Sequence, residues 1–230
     1  MSPSFERARV AVLLSGRGSN LQALIQAQQQ GVLPIELVGV ASDRPDAAGL
    51  QHARAAGIPI WTRAPREYPD KAAYEADLRA AVDAFRPDWL VLAGYMRILG
   101  AATVEHWGGR LINIHPSLLP RHPGLHTHAR VLAAGESLHG ASVHFVTPVL
   151  DGGPVLMQVS MPVQAGDDEH SLAARLLPLE HRLLTRCIAL LAAGRVVLRE
   201  GRIHLDGQPL PAPLQLGAED GVSIQPEFIG

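Results

Sequence analysis

Through the first half of this chain, short apolar runs alternate with stretches of helical spacing, and no other feature restricts the fold as tightly. Runs at 10–14, 35–41, 58–61, 89–93 and 111–114 are four to seven residues long and read as buried strands. Between them, 19–30 carries Leu21, Leu24 and Ile25 at helical spacing, and 46–56 reads as a second helix. Segment 71–85 repeats the pattern with Tyr74, Leu78, Val82 and Phe85 before Pro87 closes it. Strand–helix–strand alternation of this kind implies right-handed crossovers and a parallel sheet. From Ala141 the grammar changes: 141–147 and 155–163 are strand runs with no helix between them, so antiparallel pairing is expected. A long amphipathic helix follows at 171–191, with Pro178 expected to bend it or break its start. Runs 196–198 and 202–205 suggest a hairpin, and 208–230, rich in Pro, Gly and Gln, is expected to be a poorly ordered tail. The expected fold is α/β: a single Rossmann-like domain over 1–207, its parallel N-terminal sheet continued by antiparallel C-terminal strands.

Composition narrows the function. With 47% hydrophobic and 18% charged residues, the chain is globular rather than disordered. A net charge of −2 advertises neither a nucleic-acid nor an anionic-membrane partner. Cys187 is the single cysteine, which excludes an internal disulfide framework and reads as a buried core thiol. No basic-then-apolar leader opens the sequence, and the cytoplasm is the expected compartment.

The most informative local stretch is Asn113-Ile-His115-Pro-Ser-Leu-Leu-Pro120. Strand side chains alternate, so Asn113 and His115 share a face, and Pro116 ends the strand behind them. An amide donor and an imidazole then stand together at the carboxyl end of a strand, where open α/β sheets bind ligands. Asp151-Gly-Gly-Pro154 supplies a carboxylate on a loop able to fold back. Asn, His and Asp together suit acyl transfer to an amine, with the carboxylate expected to raise the His115 pKa toward imidazolium. The plainer alternatives are a strand-end amide for Asn113 and a surface turn for Asp151.

Ser15-Gly-Arg-Gly-Ser-Asn20 joins the first strand to the first helix. Leu21 stands where a dinucleotide fingerprint would carry its third glycine, and no Gly-Lys-Ser/Thr follows. What remains is a phosphate monoester site at a helix start or an ordinary turn. Seven of the eleven histidines fall between 106 and 144, which raises a metal site built on His126, His128 and Asp151. No compact zinc motif accompanies them, so helix-start packing is the competing reading and no metal is expected.

Taken in order, segments 15–21, 93–99, 113–120, 123–128, 142–145 and 151–154 resemble the phosphoribosylglycinamide formyltransferases, folate-dependent enzymes of purine synthesis. The resemblance leaves only the termini outside it. It implies transfer of a formyl group from 10-formyltetrahydrofolate, as co-substrate, to the amine of phosphoribosylglycinamide, with Asn113, His115 and Asp151 catalytic. It implies a ribonucleotide site at Gly18, Ser19, Asn20 and Glu180, and a folate site at Met96, Arg97, Ile98, Leu99 and Asn113, with Lys71 near the folate tail. His144 is expected beside the catalytic histidine. Arg17 departs from the asparagine common in the family's loop. Small-molecule partners and a monomer or homodimer are expected. Rival readings are methionyl-tRNA formyltransferase, which should carry a further RNA-binding domain, formyltetrahydrofolate hydrolase, and a non-catalytic binding module on a similar core.

Overall fold

A computed structural model describes residues 7–217 and the strand 222–224. In chain order the elements are β1 (Ala8–Leu14), α1 (Ser19–Gln29), β2 (Ile35–Ser42), α2 (Leu50–Ala55), β3 (Ile60–Thr62) and α3 (Lys71–Ala84). Next come β4 (Trp89–Leu92), α4 (Ala101–His106), β5 (Leu111–His115), α5 (Thr127–Ala133), β6 (Leu138–Phe145), β7 (Val155–Pro162) and α6 (Glu169–Ala192). Five short strands finish the chain: β8 (Val196–Arg199), β9 (Arg202–Leu205), β10 (Gln208–Pro209), β11 (Leu214–Leu216) and β12 (Val222–Ile224).

Nine strands form one sheet in the order β12-β11-β7-β6-β5-β4-β1-β2-β3, and β10-β9-β8 form a small second one. β3, β2, β1, β4 and β5 run parallel, as the alternation predicts. β6 is antiparallel to both β5 and β7, as the direct succession of β6 and β7 predicts. Helices cover both faces. Val10, Val12, Leu14, Ile112 and Ile114 pack with Leu21 and Leu24 of α1 and with the apolar side of α6. Ala11, Leu13, Leu90, Leu92 and Leu111 pack with Tyr74, Leu78 and Val82 of α3 and with Val104 and Trp107 beside α4. Burial on both faces is why these strands read as continuous apolar runs instead of alternating ones.

Two expectations need correction. Pro178 neither breaks nor delays the long helix, which runs unbroken from Glu169 to Ala192. Pro178 removes the N–H that would bond the Ala174 carbonyl, and both residues are exposed, so water can take that acceptor. An Asp168–Ser171 capping box starts the helix, and Leu172, Leu176, Leu183, Leu184, Cys187 and Ile188 bury its inner face. The segment beyond 207 is also not an unpatterned tail where it is described. Leu214 and Leu216 are buried, and β11 pairs in parallel with β7 and antiparallel with β12. The expected tail otherwise lies outside the described residues. Among the described residues no helix is long and apolar enough to cross a membrane.

Candidate active site

After β3 the chain crosses to the other side of β1 to lay down β4, so the strand order reverses between β1 and β4. Outside the carboxyl ends of β1, β4 and β5, at this reversal, lies a cleft of about 980 Å3. Two distinct walls flank a group of polar side chains.

The first wall is the glycine loop. Gly18 has φ +72° and directly precedes α1, whose first N–H groups have no side-chain cap. A Cβ on Gly18 would lie 2.5 Å from the Gly49 Cα, so the loop closes on the start of α2 only because position 18 is bare. Ser15 is the clasp behind it. Its hydroxyl donates to Asp43 Oδ1 at 2.5 Å and accepts from the Met96 N–H at 2.8 Å, tying the ends of β1, β2 and β4 together. Asp43 is therefore a buried bracket. Asn20 faces Glu180 across the gap between α1 and α6, Nδ2 to Oε2 at 3.5 Å, while its buried Oδ1 has no protein partner. Burial pushes the Glu180 carboxyl up to about 7. The wall thus offers free backbone donors and a carboxylate of adjustable charge.

The second wall is apolar and unusually bare. Met96 is 64%, Ile98 61% and Leu125 65% exposed, and with Leu150 they line the cleft. Apolar side chains gathered at one mouth suit a flat ligand. Arg97 lies over the Tyr74 ring, 5.5 Å from its centroid, which holds this loop against α3.

Between these walls stand Asn113, His115 and Asp151. Register builds the group: β5 pairs with β6 so that Asn113 lies opposite His144. His144 donates from Nδ1 to the Phe145 carbonyl at 3.0 Å, which leaves Nε2 to accept from Asn113 Nδ2 at 3.1 Å. The same Asn113 nitrogen reaches Asp151 Oδ1 at a long 3.5 Å. Asp151 sits at φ +49° in the turn between β6 and β7, and Gly153 is what lets that turn come so near, since a Cβ there would meet the Phe145 oxygen at 1.8 Å. The other oxygen, Oδ2, accepts the Gly124 N–H at 2.7 Å and lies 3.5 Å from His115 Nδ1. His115 Nε2 in turn donates to the His122 carbonyl at 3.0 Å.

Electrostatically the group differs from the expectation. Burial lowers the His115 pKa below its ordinary value, and the opposing pulls of the His122 carbonyl and the Asp151 carboxylate do not overcome it. Asp151 does favour imidazolium, but the dry surroundings matter more, so the free protein holds neutral His115 at pH 7. Burial raises the Asp151 carboxyl as well, yet His144, the Gly124 N–H and His115 together leave it below the usual range. The result is a fixed anion beside a neutral imidazole and an amide, a set able to accept a proton and to donate hydrogen bonds to a new negative charge.

A model of the formyl transferase family, described as "Formyl transferase", matches residues 8–188. The chain belongs to this family. This formyl transferase is 48% identical over 202 residues to the phosphoribosylglycinamide formyltransferase of Escherichia coli (strain K12), covering 88% of this chain and 95% of that one. The phosphoribosylglycinamide formyltransferase of Coxiella burnetii superimposes with a TM-score of 0.86 at 45% identity, covering 89% of this chain and 96% of the other. A formyltetrahydrofolate deformylase from Pseudomonas putida KT2440 superimposes with a TM-score of 0.78 at 27% identity, covering 89% and 72%.

Of the residues singled out in the sequence, Gly18, Ser19, Asn20, Met96, Arg97, Ile98, Leu99, Asn113, His115, His144, Asp151 and Glu180 all line the cleft of this formyl transferase. Lys71 does not. It opens α3, half exposed, with Nζ 3.6 Å from Glu75 Oε1 one turn along, and that carboxylate keeps it on its own helix. His126 and His128 line the cleft, but His128 Nδ1 is spent on His139 Nε2 at 2.9 Å. Among the described residues no group of three or more His, Cys, Asp or Glu side chains is placed to hold a metal ion. Sequence reasoning missed the His122 carbonyl and the Gly124 N–H. Both are backbone groups, which residue type does not announce.

Proposed function

We propose that this formyl transferase moves the formyl group of 10-formyltetrahydrofolate to the amine of phosphoribosylglycinamide, a step of purine biosynthesis. The observation that carries the reading is the meeting of Asn113, His115 and Asp151 between a wall of free backbone donors and an exposed apolar wall. The names of the similar proteins, from Escherichia coli and Coxiella burnetii, support it. In this reading the ribonucleotide phosphate rests on Gly18, Ser19 and Asn20 at the start of α1, and Glu180 contacts the same substrate. The folate pterin lies against Met96, Arg97, Ile98 and Leu99.

The amine attacks the formyl carbon and the carbonyl electrons move onto oxygen. Asn113 and His115 face that oxygen. Their contacts with Asp151 are both a long 3.5 Å, and a substrate atom or water replaces such contacts at little cost. Negative charge on the oxygen raises the pKa of neutral His115, and the attacking amine supplies the proton, with Asp151 stabilising the imidazolium that forms. Collapse of the intermediate breaks the bond to folate N10, which takes that proton and leaves as tetrahydrofolate. The new bond joins the formyl carbon to the amine.

The test is donor turnover, followed by folate absorbance, with and without phosphoribosylglycinamide. Turnover is expected only with the acceptor present. Equal rates without it would replace this reading with the hydrolytic one suggested by the likeness to the Pseudomonas putida deformylase.

A further inference from the structure

His115 and Asp151 both depend on one short loop, residues 121–124. The His122 carbonyl receives His115 Nε2 at 3.0 Å, and the Gly124 N–H is donated to Asp151 at 2.7 Å. Two residues of one turn therefore orient two groups, one at the end of β5 and the other in the turn between β6 and β7. His122 holds this position at φ +51°, a region that β-carbon-bearing residues rarely adopt without support. The support is visible. The His122 side chain is mostly covered, and its Nε2 lies 2.8 Å from Glu136 Oε1, beyond the end of α5. The second oxygen of Glu136 takes Arg121 Nη1 at 3.3 Å, so the carboxylate grips two neighbours of the loop at once. Ser117 Oγ donates to the Arg121 carbonyl at 2.7 Å and fixes the near end.

We propose that Glu136 is a positioning residue for the formyl transfer, acting through His122 to hold the carbonyl that orients the His115 ring. Glu136 is absent from the cleft wall and touches neither His115 nor Asp151, so its contribution passes through the loop backbone. Burial favours the neutral form of its carboxyl, but His122 and Arg121 outweigh this and hold it below the ordinary range, consistent with a charged clamp. With the clamp released, residue 122 is free to relax toward negative φ and swing its carbonyl away from His115. Nε2 then loses its acceptor, and the ring can turn or change tautomer.

This inference rests on the role given to His115 above, and the experiment separates the two. In Glu136→Ala, kcat should fall by about 10- to 100-fold, the scale on which a misplaced catalytic group lowers turnover, with both KM values changed less than twofold. Independently of any assay, the ring nitrogens of His115, read by 15N NMR in the free protein, should show loss of the Nε2–H form held in the wild type. Glu136→Gln keeps an acceptor at the same place and should recover most of the rate and the wild-type ring signals. Wild-type kcat in Glu136→Ala, or a fall in kcat with unchanged His115 signals, would overturn the proposal. If Glu136→Ala fails to fold, Glu136→Asp, which withdraws the carboxylate by one methylene, is read by the same two measurements and decided by the same outcomes. If the wild type does not turn over phosphoribosylglycinamide, the functional reading fails, while the NMR result still judges the clamp.

Discussion

Replacing Asp151 by Asn preserves the size of the side chain and removes its charge, which isolates what that charge does. The carboxylate now accepts from Gly124 N–H at 2.7 Å and from Asn113 at 3.5 Å, and stands 3.5 Å from His115 Nδ1 and 3.6 Å from His144 Nε2. An asparagine would keep its carbonyl on Gly124, the shortest of these, and turn its NH2 toward Asn113 and His144. His144 Nε2 could then accept a bond, but Asn113 would face another donor. His115 would lose the anion altogether. A unit charge pair at 3.5 Å is worth roughly 4–5 kcal/mol at an effective dielectric near 20, and desolvation of the carboxylate takes back part of that. A loss of about 3–4 kcal/mol from the imidazolium-bearing intermediate corresponds to roughly 10²–10³ in kcat. Both KM values should change far less, because the interaction forms its full strength only when His115 becomes charged. In the free variant the His115 pKa, already low through burial, should fall further, which NMR titration reads directly. A kcat within tenfold of wild type, or a His115 pKa that does not move, would refute the argument.

The glycine loop and Glu180 give two sharper tests of stability. Gly18→Ala puts a Cβ 2.5 Å from the Gly49 backbone at φ +72° and should cost about 2–4 kcal/mol, whereas Gly16→Ala meets nothing within 4 Å and should leave the melting temperature nearly unchanged. Equal melting temperatures for the two variants would show that the loop packs differently. The Glu180 carboxyl is raised from 4.5 to about 7 in the folded state, so its protonated form stabilises the fold below pH 4.5 and that contribution is lost as pH rises through 7. Glu180→Gln, which cannot ionise, should therefore match wild type near pH 4.5 and melt higher at pH 8.5, by at most about 3 kcal/mol. A melting difference that does not vary with pH would contradict the raised value.

Much of this was legible because it is periodic. Alternating apolar runs and helical spacing announce the parallel half of the sheet, and the shared face of Asn113 and His115 follows from strand geometry alone. What stayed hidden depends on distance along the chain. Nothing local to Glu180 says that α6 brings it against Asn20, and only the family resemblance points to it. The neighbourhood of Asp151 predicts a raised His115 pKa, but burial by 6% residual exposure reverses the sign, and burial belongs to the whole fold. Pro178 misleads for the opposite reason: a local rule against proline in helices yields to the eight buried residues of α6.

The reversal of strand direction after β5 is what makes the site possible. Had β6 continued parallel, a crossover would have separated it from β5, and its carboxyl end would have pointed to the cleft. Instead β6 runs back from the cleft, so the residue opposite Asn113 is His144, near the end of β6, where the chain leaves the sheet. The turn that follows rejoins as β7, hydrogen-bonded to β6 from His144 to Leu138, and carries Asp151 back against Asn113 and His115. Gly153 permits that fold by its missing Cβ, and Asp151 at φ +49° aims its carboxylate down at His115. Phosphate-type loops at the ends of β1 need only the parallel half. The meeting of Asn113, His115 and His144 needs a strand that meets β4 in one sense and β6 in the other, and β5 is that strand.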